Sequence, residues 1–188
     1  MSPRKSILVF LAPSFFLLAL VLAQASSALG AEAAGLRFSV PDDWQRVTSS
    51  SPLRTAQFTL PRARGDDEDG ELILFTFEDP RGGGTLSNAI ERWYSQFTQP
   101  DGRPSREVAV VTTRKVRDLD VKIVDLSGTY RAQMGPMEHP SRPGYRLLGA
   151  VVEGQGGPWY WRAVGPSKTI EKAKKGFDAT IDSLEIAR

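Results

Sequence analysis

Apolar and polar positions alternate over Leu36-Arg-Phe-Ser-Val40, which predicts a strand. Pro41-Asp-Asp-Trp44 then breaks it with a turn that lets Trp44 fold back over a core. Alternation returns from Thr55 to Leu60 through Ala56, Phe58 and Leu60, and Pro61 ends it. A charged loop, Arg62 to Gly70, leads into Glu71-Leu-Ile-Leu-Phe-Thr-Phe77. That near-continuous apolar run predicts a central strand covered on both faces. After Gly82-Gly83-Gly84 the period changes. Leu86, Ala89, Ile90, Trp93 and Phe97 fall on one stripe of a helix, with Thr85 or Ser87 as N-cap and Gln99-Pro100-Asp101-Gly102 as the stop.

Two β-branched runs, Glu107 to Val116 and Leu119 to Tyr130, flank Arg117-Asp118 and read as a hairpin. Arg131 to Gly144 is a long loop with Pro136, Pro140 and Pro143. A second hairpin, Tyr145 to Glu153 and Pro158 to Val164, turns at Gly154-Gln-Gly-Gly157. Gly165-Pro166-Ser167 opens a last helix whose apolar stripe is Ile170, Ala173, Phe177, Ile181 and Leu184. The order is strands, helix, four strands, helix. It predicts an α+β domain, a mainly antiparallel sheet of about six to seven strands packed by two helices. A doubly wound parallel fold needs strict alternation of strand and helix, which the chain lacks.

The N-terminus has a different pattern. Arg4 and Lys5 precede an apolar run from Ile7 to Ala23, and Ala23-Gln24-Ala25 follows as a small-x-small site. This is the order of a secretory leader. The run is short for a membrane span, Pro13 interrupts it, and no basic stop-transfer cluster follows. The expectation is a signal peptide over 1–25, a mobile small-residue spacer over 26–35 and one globular domain over 36–188. The processed chain then begins near Ser26, or near Ala31 if Ala28-Leu29-Gly30 is cut instead.

Removing the leader changes the charge. The 24 basic and 22 acidic residues become 22 against 22, because Arg4 and Lys5 lie in the discarded segment. A neutral domain has no electrostatic footprint for nucleic acid or an anionic membrane. With no cysteine, the chain has no disulfide staples, thiol nucleophile, lipid attachment point or thiolate metal site. Its single histidine, His139, leaves little for a catalytic triad or a His-rich metal centre.

The opening Phe38-Ser-Val-Pro-Asp-Asp-Trp44 is similar to that of PsbP-like domains. The helix Asn88 to Phe97 and the segment Tyr160-Trp-Arg-Ala-Val-Gly-Pro166 resemble uncharacterised exported bacterial proteins near the same fold. The resemblance spans most of Leu36 to Ile186. It implies an antiparallel sheet sandwiched by helices, and a protein that binds or organises other proteins. None of the family's functional residues maps onto this chain.

Three clusters carry candidate chemistry. Asp66-Asp-Glu-Asp-Gly-Glu71 is the densest acidic run, but in an EF-hand register the first ligand falls on Gly65. A solvated turn is the favoured reading. Met134, Met137 and His139 supply soft donors for copper(I) within one loop. Trp159 and Trp161 share one face of a strand, with Tyr160 on the other. Exposed, they would form a platform for a sugar or peptide; buried, they are core. Glu78, Asp79, Asp120, Asp125 and Glu153 are dispersed, and no sequence signal pairs two of them as a glycosidase requires. Ser141 beside His139 has no nucleophile elbow around it. The sequence therefore predicts an exported, monomeric, non-enzymatic binding or accessory protein of the periplasm or cell envelope, without a cofactor, whose partner is an envelope protein. The alternatives are a copper(I) protein using the Met134–His139 loop, or a carbohydrate or peptide binder using Trp159 and Trp161.

Overall fold

A computed structural model describes residues 28–49, 51, 53–76, 86–131 and 140–187. The described chain is α+β. Its larger sheet runs β3 (Gln45–Arg46), β4 (Arg54–Leu60), β5 (Gly70–Thr76), β10 (Trp159–Pro166), β9 (Arg142–Glu153), β8 (Leu119–Tyr130), β6 (Phe97–Thr98), with β7 (Val110–Val116) also pairing β8. All its pairings are antiparallel. A smaller sheet has the order β1 (Ala28–Ala33), β2 (Leu36–Pro41), β11 (Glu185–Ile186). The helices are α1 (Leu86–Ser95), α2 (Ser105–Val108) and α3 (Ser167–Asp182).

The larger sheet is covered on both sides, and the period-two alternation of its central strands feeds two cores. Leu148, Ala150 and Val152 of β9 with Trp159, Trp161 and Ala163 of β10 join Ile170, Phe177 and Ile181 of α3. Leu147 and Val151 with Tyr160 and Val164 point the other way, into a core shared with Ala89, Ile90 and Trp93 of α1. Because both faces are covered, β10 is buried from Trp159 to Gly165. The expected central place of β5 is also observed, between β4 and β10. One charged residue sits inside this framework. Arg162 is buried, donates to Glu71 at 3.0 Å and lies over the Phe75 ring, so its charge is matched on the strand beside it.

Three local expectations are corrected. The segment expected as a mobile spacer instead contains β1, which pairs with β2 from Ala28↔Pro41 to Ala33↔Leu36. Its ordering comes from the backbone ladder and a two-residue turn. Ala34 and Gly35 both have positive φ, 53° and 74°, which matches the right-handed twist of a hairpin. The first helix ends at Ser95, earlier than the stop at Gln99 to Gly102 predicts. Phe97 continues the apolar stripe into the same core, but from β6, where it pairs with Tyr130. Glu107 belongs to the short helix α2, so the first hairpin strand starts at Val110.

Gly149 is the point where α1 meets the sheet. A Cβ there would overlap Trp93 Cζ3, so only glycine lets the indole lie on β9. We predict that Gly149→Ala lowers unfolding stability by about 1–3 kcal/mol, the usual cost of an overpacked core. Urea denaturation checks this; an unchanged midpoint would mean that Trp93 does not rest there.

Candidate functional site

Pro41 ends β2, and the Trp44 amide donates to the Pro41 carbonyl at 3.0 Å, closing the turn the sequence predicts. The indole is thereby returned against α3 and is buried, as expected. Its seat is Gly176 in the middle of that helix. A Cβ at Gly176 would stand 2.7 Å from Pro41 Cγ and 2.8 Å from Trp44 Cζ2. Glycine costs an exposed helix interior about 1 kcal/mol relative to alanine, so this notch trades helix propensity for close approach.

Beside the notch lies a cleft of about 300 Å³ between α3 and the ends of β2 and β4. Val40, Trp44, Leu60 and Ala173 give it an apolar lining, while Asp43, Lys172 and Lys175 stand at its rim. Lys172 donates to the Pro61 carbonyl at 3.3 Å. Asp43 and Lys175 are exposed, and neither has an ion pair or hydrogen bond among the described residues. Thr180 also lines the cleft; it is fully buried and its hydroxyl has no hydrogen-bond partner. A buried donor without a partner costs about 1–3 kcal/mol.

The helix wall is held in place from its other flank. Arg146 grips Asp125 through two hydrogen bonds of 2.8 and 2.7 Å and also donates to Glu171 of α3. Those bonds, Asp125 first, hold the Arg146 guanidinium above its ordinary pKa against the opposing effect of burial. Arg114 meets Asp182 at 3.1 Å, and Arg117 donates to the Leu184 carbonyl at 2.7 Å. The acids of α3 are thus engaged by arginines of the sheet, whereas Lys172 and Lys175 are left facing the cleft.

The acidic loop is structural. Asp66 accepts from the Thr169 amide at 2.8 Å and the Thr169 hydroxyl at 2.7 Å, capping the first turn of α3 from another part of the chain. The N-cap itself is Pro166, which makes no side-chain cap hydrogen bond. Asp69 accepts from the Arg62 amide, Glu68 pairs with Arg142 and Tyr145, and Glu71 pairs with Arg54 and Arg162. Among the described residues no group of three or more His, Asp or Glu could hold a metal ion.

Trp159 and Trp161 are buried, with 1% and 0% exposure, so they cannot serve as a sugar or peptide platform. The two-faced burial of β10 decides this, since α3 covers their side of the sheet. Trp159 also donates its indole N–H to the Ala34 carbonyl at 2.8 Å, tying the β1–β2 turn to the core. Met134, Met137 and His139, together with Glu78 and Asp79, lie outside the described residues. Asp120 and Glu153 are register partners across β8 and β9, a pairing the sequence does not signal, but both are exposed and Asp120 pairs with Lys115. Asp125 is committed to Arg146. The cleft itself is a site that the sequence pattern missed. Its signal was Gly176 in the middle of a helical pattern, close to Lys172 and Lys175.

No model of a protein family matches the chain, and no curated protein matches it. Among solved structures, the chain is similar to cyanobacterial PsbP (CyanoP) from Synechocystis sp. PCC 6803. The identity is 15% and the TM-score 0.48, over 87% of this chain and 95% of that one. A protein of unknown function from Pseudomonas aeruginosa, PA94, described as a putative regulator, is similar at 9% identity and TM-score 0.47. That likeness covers 86% of this chain and 98% of the other. The first bears the name of the family that the Phe38–Trp44 opening resembles.

Two measurements check these assignments. Asp66→Ala removes a helix cap and is expected to cost about 1–2 kcal/mol by chemical denaturation. Added calcium is expected to leave the wild-type midpoint unmoved. The second concerns Tyr145, whose hydroxyl donates to Glu68 and accepts from Arg142 at 2.9 Å. Burial, then the bond to Glu68, pushes its phenol up to about 12 from 10.0. The folded state retains a proton that the unfolded chain loses first. Stability is therefore full below pH ~10 and falls as pH rises toward ~12. Tyr94 and Tyr160, also raised by burial, add to the fall. Tyr145→Phe should make it shallower; an identical slope in the variant would remove Tyr145 from the account.

Proposed function

We propose that this chain is an exported, non-enzymatic binding or accessory protein of the periplasm or cell envelope, working as a monomer through the cleft beside Trp44. The observation that carries the reading is the cleft's composition. An apolar lining and two rim charges of opposite sign, unpaired among the described residues, are groups that hold a ligand. They include no nucleophile beside a base and no pair of carboxylates across a gap. The leader pattern over 1–25 supports export, and the envelope is where a partner protein would be met. Those leader residues lie outside the described structure. No described helix is long and apolar enough to cross a membrane.

The fold also bears on processing. Cleavage before Ala31 would remove Ala28, Leu29 and Gly30 and with them half of the β1–β2 register. Cleavage before Ser26 leaves β1 whole. Mass spectrometry of the protein from fractionated native cells is expected to find it in the periplasm or medium, beginning at Ser26. A cytosolic chain that retains residues 1–25 would overturn the export reading.

A further inference from the structure

We infer that the ligand of this cleft is a small zwitterion with an apolar body, of the class of apolar amino acids and dipeptides; the inference rests on the cleft being the binding site. Its walls carry opposite charge. Lys172 and Lys175 project from α3, and Asp43 stands on the turn after β2. Asp43 forms no ion pair with either lysine, so the charges face the opening without neutralising each other. Several other charges on or against α3 are paired. Lys174 pairs with Asp178 at 2.8 Å, Arg114 with Asp182, and Arg146 with Glu171. Lys172 and Lys175, like Lys168 at the start of the helix, have no ion pair among the described residues. The two cleft-side lysines lie three residues apart, where like charges repel each other across less than one helical turn. An anion between them relieves that repulsion, and an ammonium group satisfies Asp43 on the opposite wall.

The middle of the cleft selects for the ligand's body. Val40, Pro41, Trp44, Leu60 and Ala173 offer aliphatic and aromatic surface. A volume of about 300 Å³ is at the small end of ligand pockets, which span roughly 300–1,000 Å³. That size admits one or two residues, not a folded partner or a long lipid chain. Neither an alkyl carboxylate nor an alkylamine uses both walls.

The test is a titration of the full mature chain, followed by ¹H–¹⁵N spectra, with the Gly176 amide and the Trp44 indole as reporters. The probes are leucine, Leu-Leu, N-acetyl-Leu-Leu and Leu-Leu amide. Leucine or Leu-Leu is expected to shift both reporters saturably, and comparing the two separates a free amino acid from a dipeptide. Capping either end should weaken binding about tenfold or more, the value of a lost charge-assisted hydrogen bond. Asp43→Asn should erase the penalty for N-acetylation, and Lys172→Gln with Lys175→Gln should erase that for the amide. All three positions are on the surface, so the variants should fold. If capped and uncapped probes bind alike, the zwitterion inference fails while the cleft remains a binding site. If no probe moves either reporter, both readings fail.

Discussion

Docking of α3 onto the sheet is the constraint on which the rest depends. Ile170, Phe177 and Ile181 are each fully buried, and they share a core with Trp161, Leu148 and Phe58. Burying one large apolar side chain is worth about 1.5–3 kcal/mol, so these residues set where the helix must lie. Everything on its two flanks follows from that seat. One flank meets the arginines of β7, the following turn and β9; the other meets Pro41 and Trp44. The N-terminus of α3 falls beside Asp66, which satisfies amides that no residue at the start of the helix caps.

The cleft is a by-product of that docking. A helix with a side chain at position 176 would be held away from Pro41 and Trp44, and the gap beside it would change shape. Glycine lets the indole close one end, while the ends of β2 and β4 leave the other end open. The charge distribution has the same origin. Arginines reaching from the sheet take up the acids of α3, and the lysines on the opposite flank keep their charge for the opening.

The element types and most of their order were legible from periodicity. β2, β4, β5, both hairpins and both long helices lie where alternation or a helical stripe predicts them. The errors fall where backbone geometry outweighs side-chain pattern. In β1 the small residues give no alternation, and its order comes from pairing with β2. At Phe97 a helical stripe continues to point at the core after the helix has ended, because the core does not distinguish a helix from a strand that delivers the same ring. The acidic loop was read as a solvated turn, yet each of Asp66, Glu68, Asp69 and Glu71 holds a specific donor. Asp69 is held from within the loop by Arg62, but the donors to Asp66 and Glu68 come from residues far along the chain.

The sequence alone determined an α+β class, two amphipathic helices and a cysteine-free domain that must rely on burial. These are properties of spacing and composition, which act over a few residues. Tertiary structure decided that Trp159 and Trp161 are core, that Asp66 is a helix cap, and that Gly176, Trp44, Asp43, Lys175 and Thr180 meet around one opening. Each of those facts depends on contacts between segments separated by scores of residues. Such contacts are set by how the two faces of the sheet are covered, which no local pattern encodes.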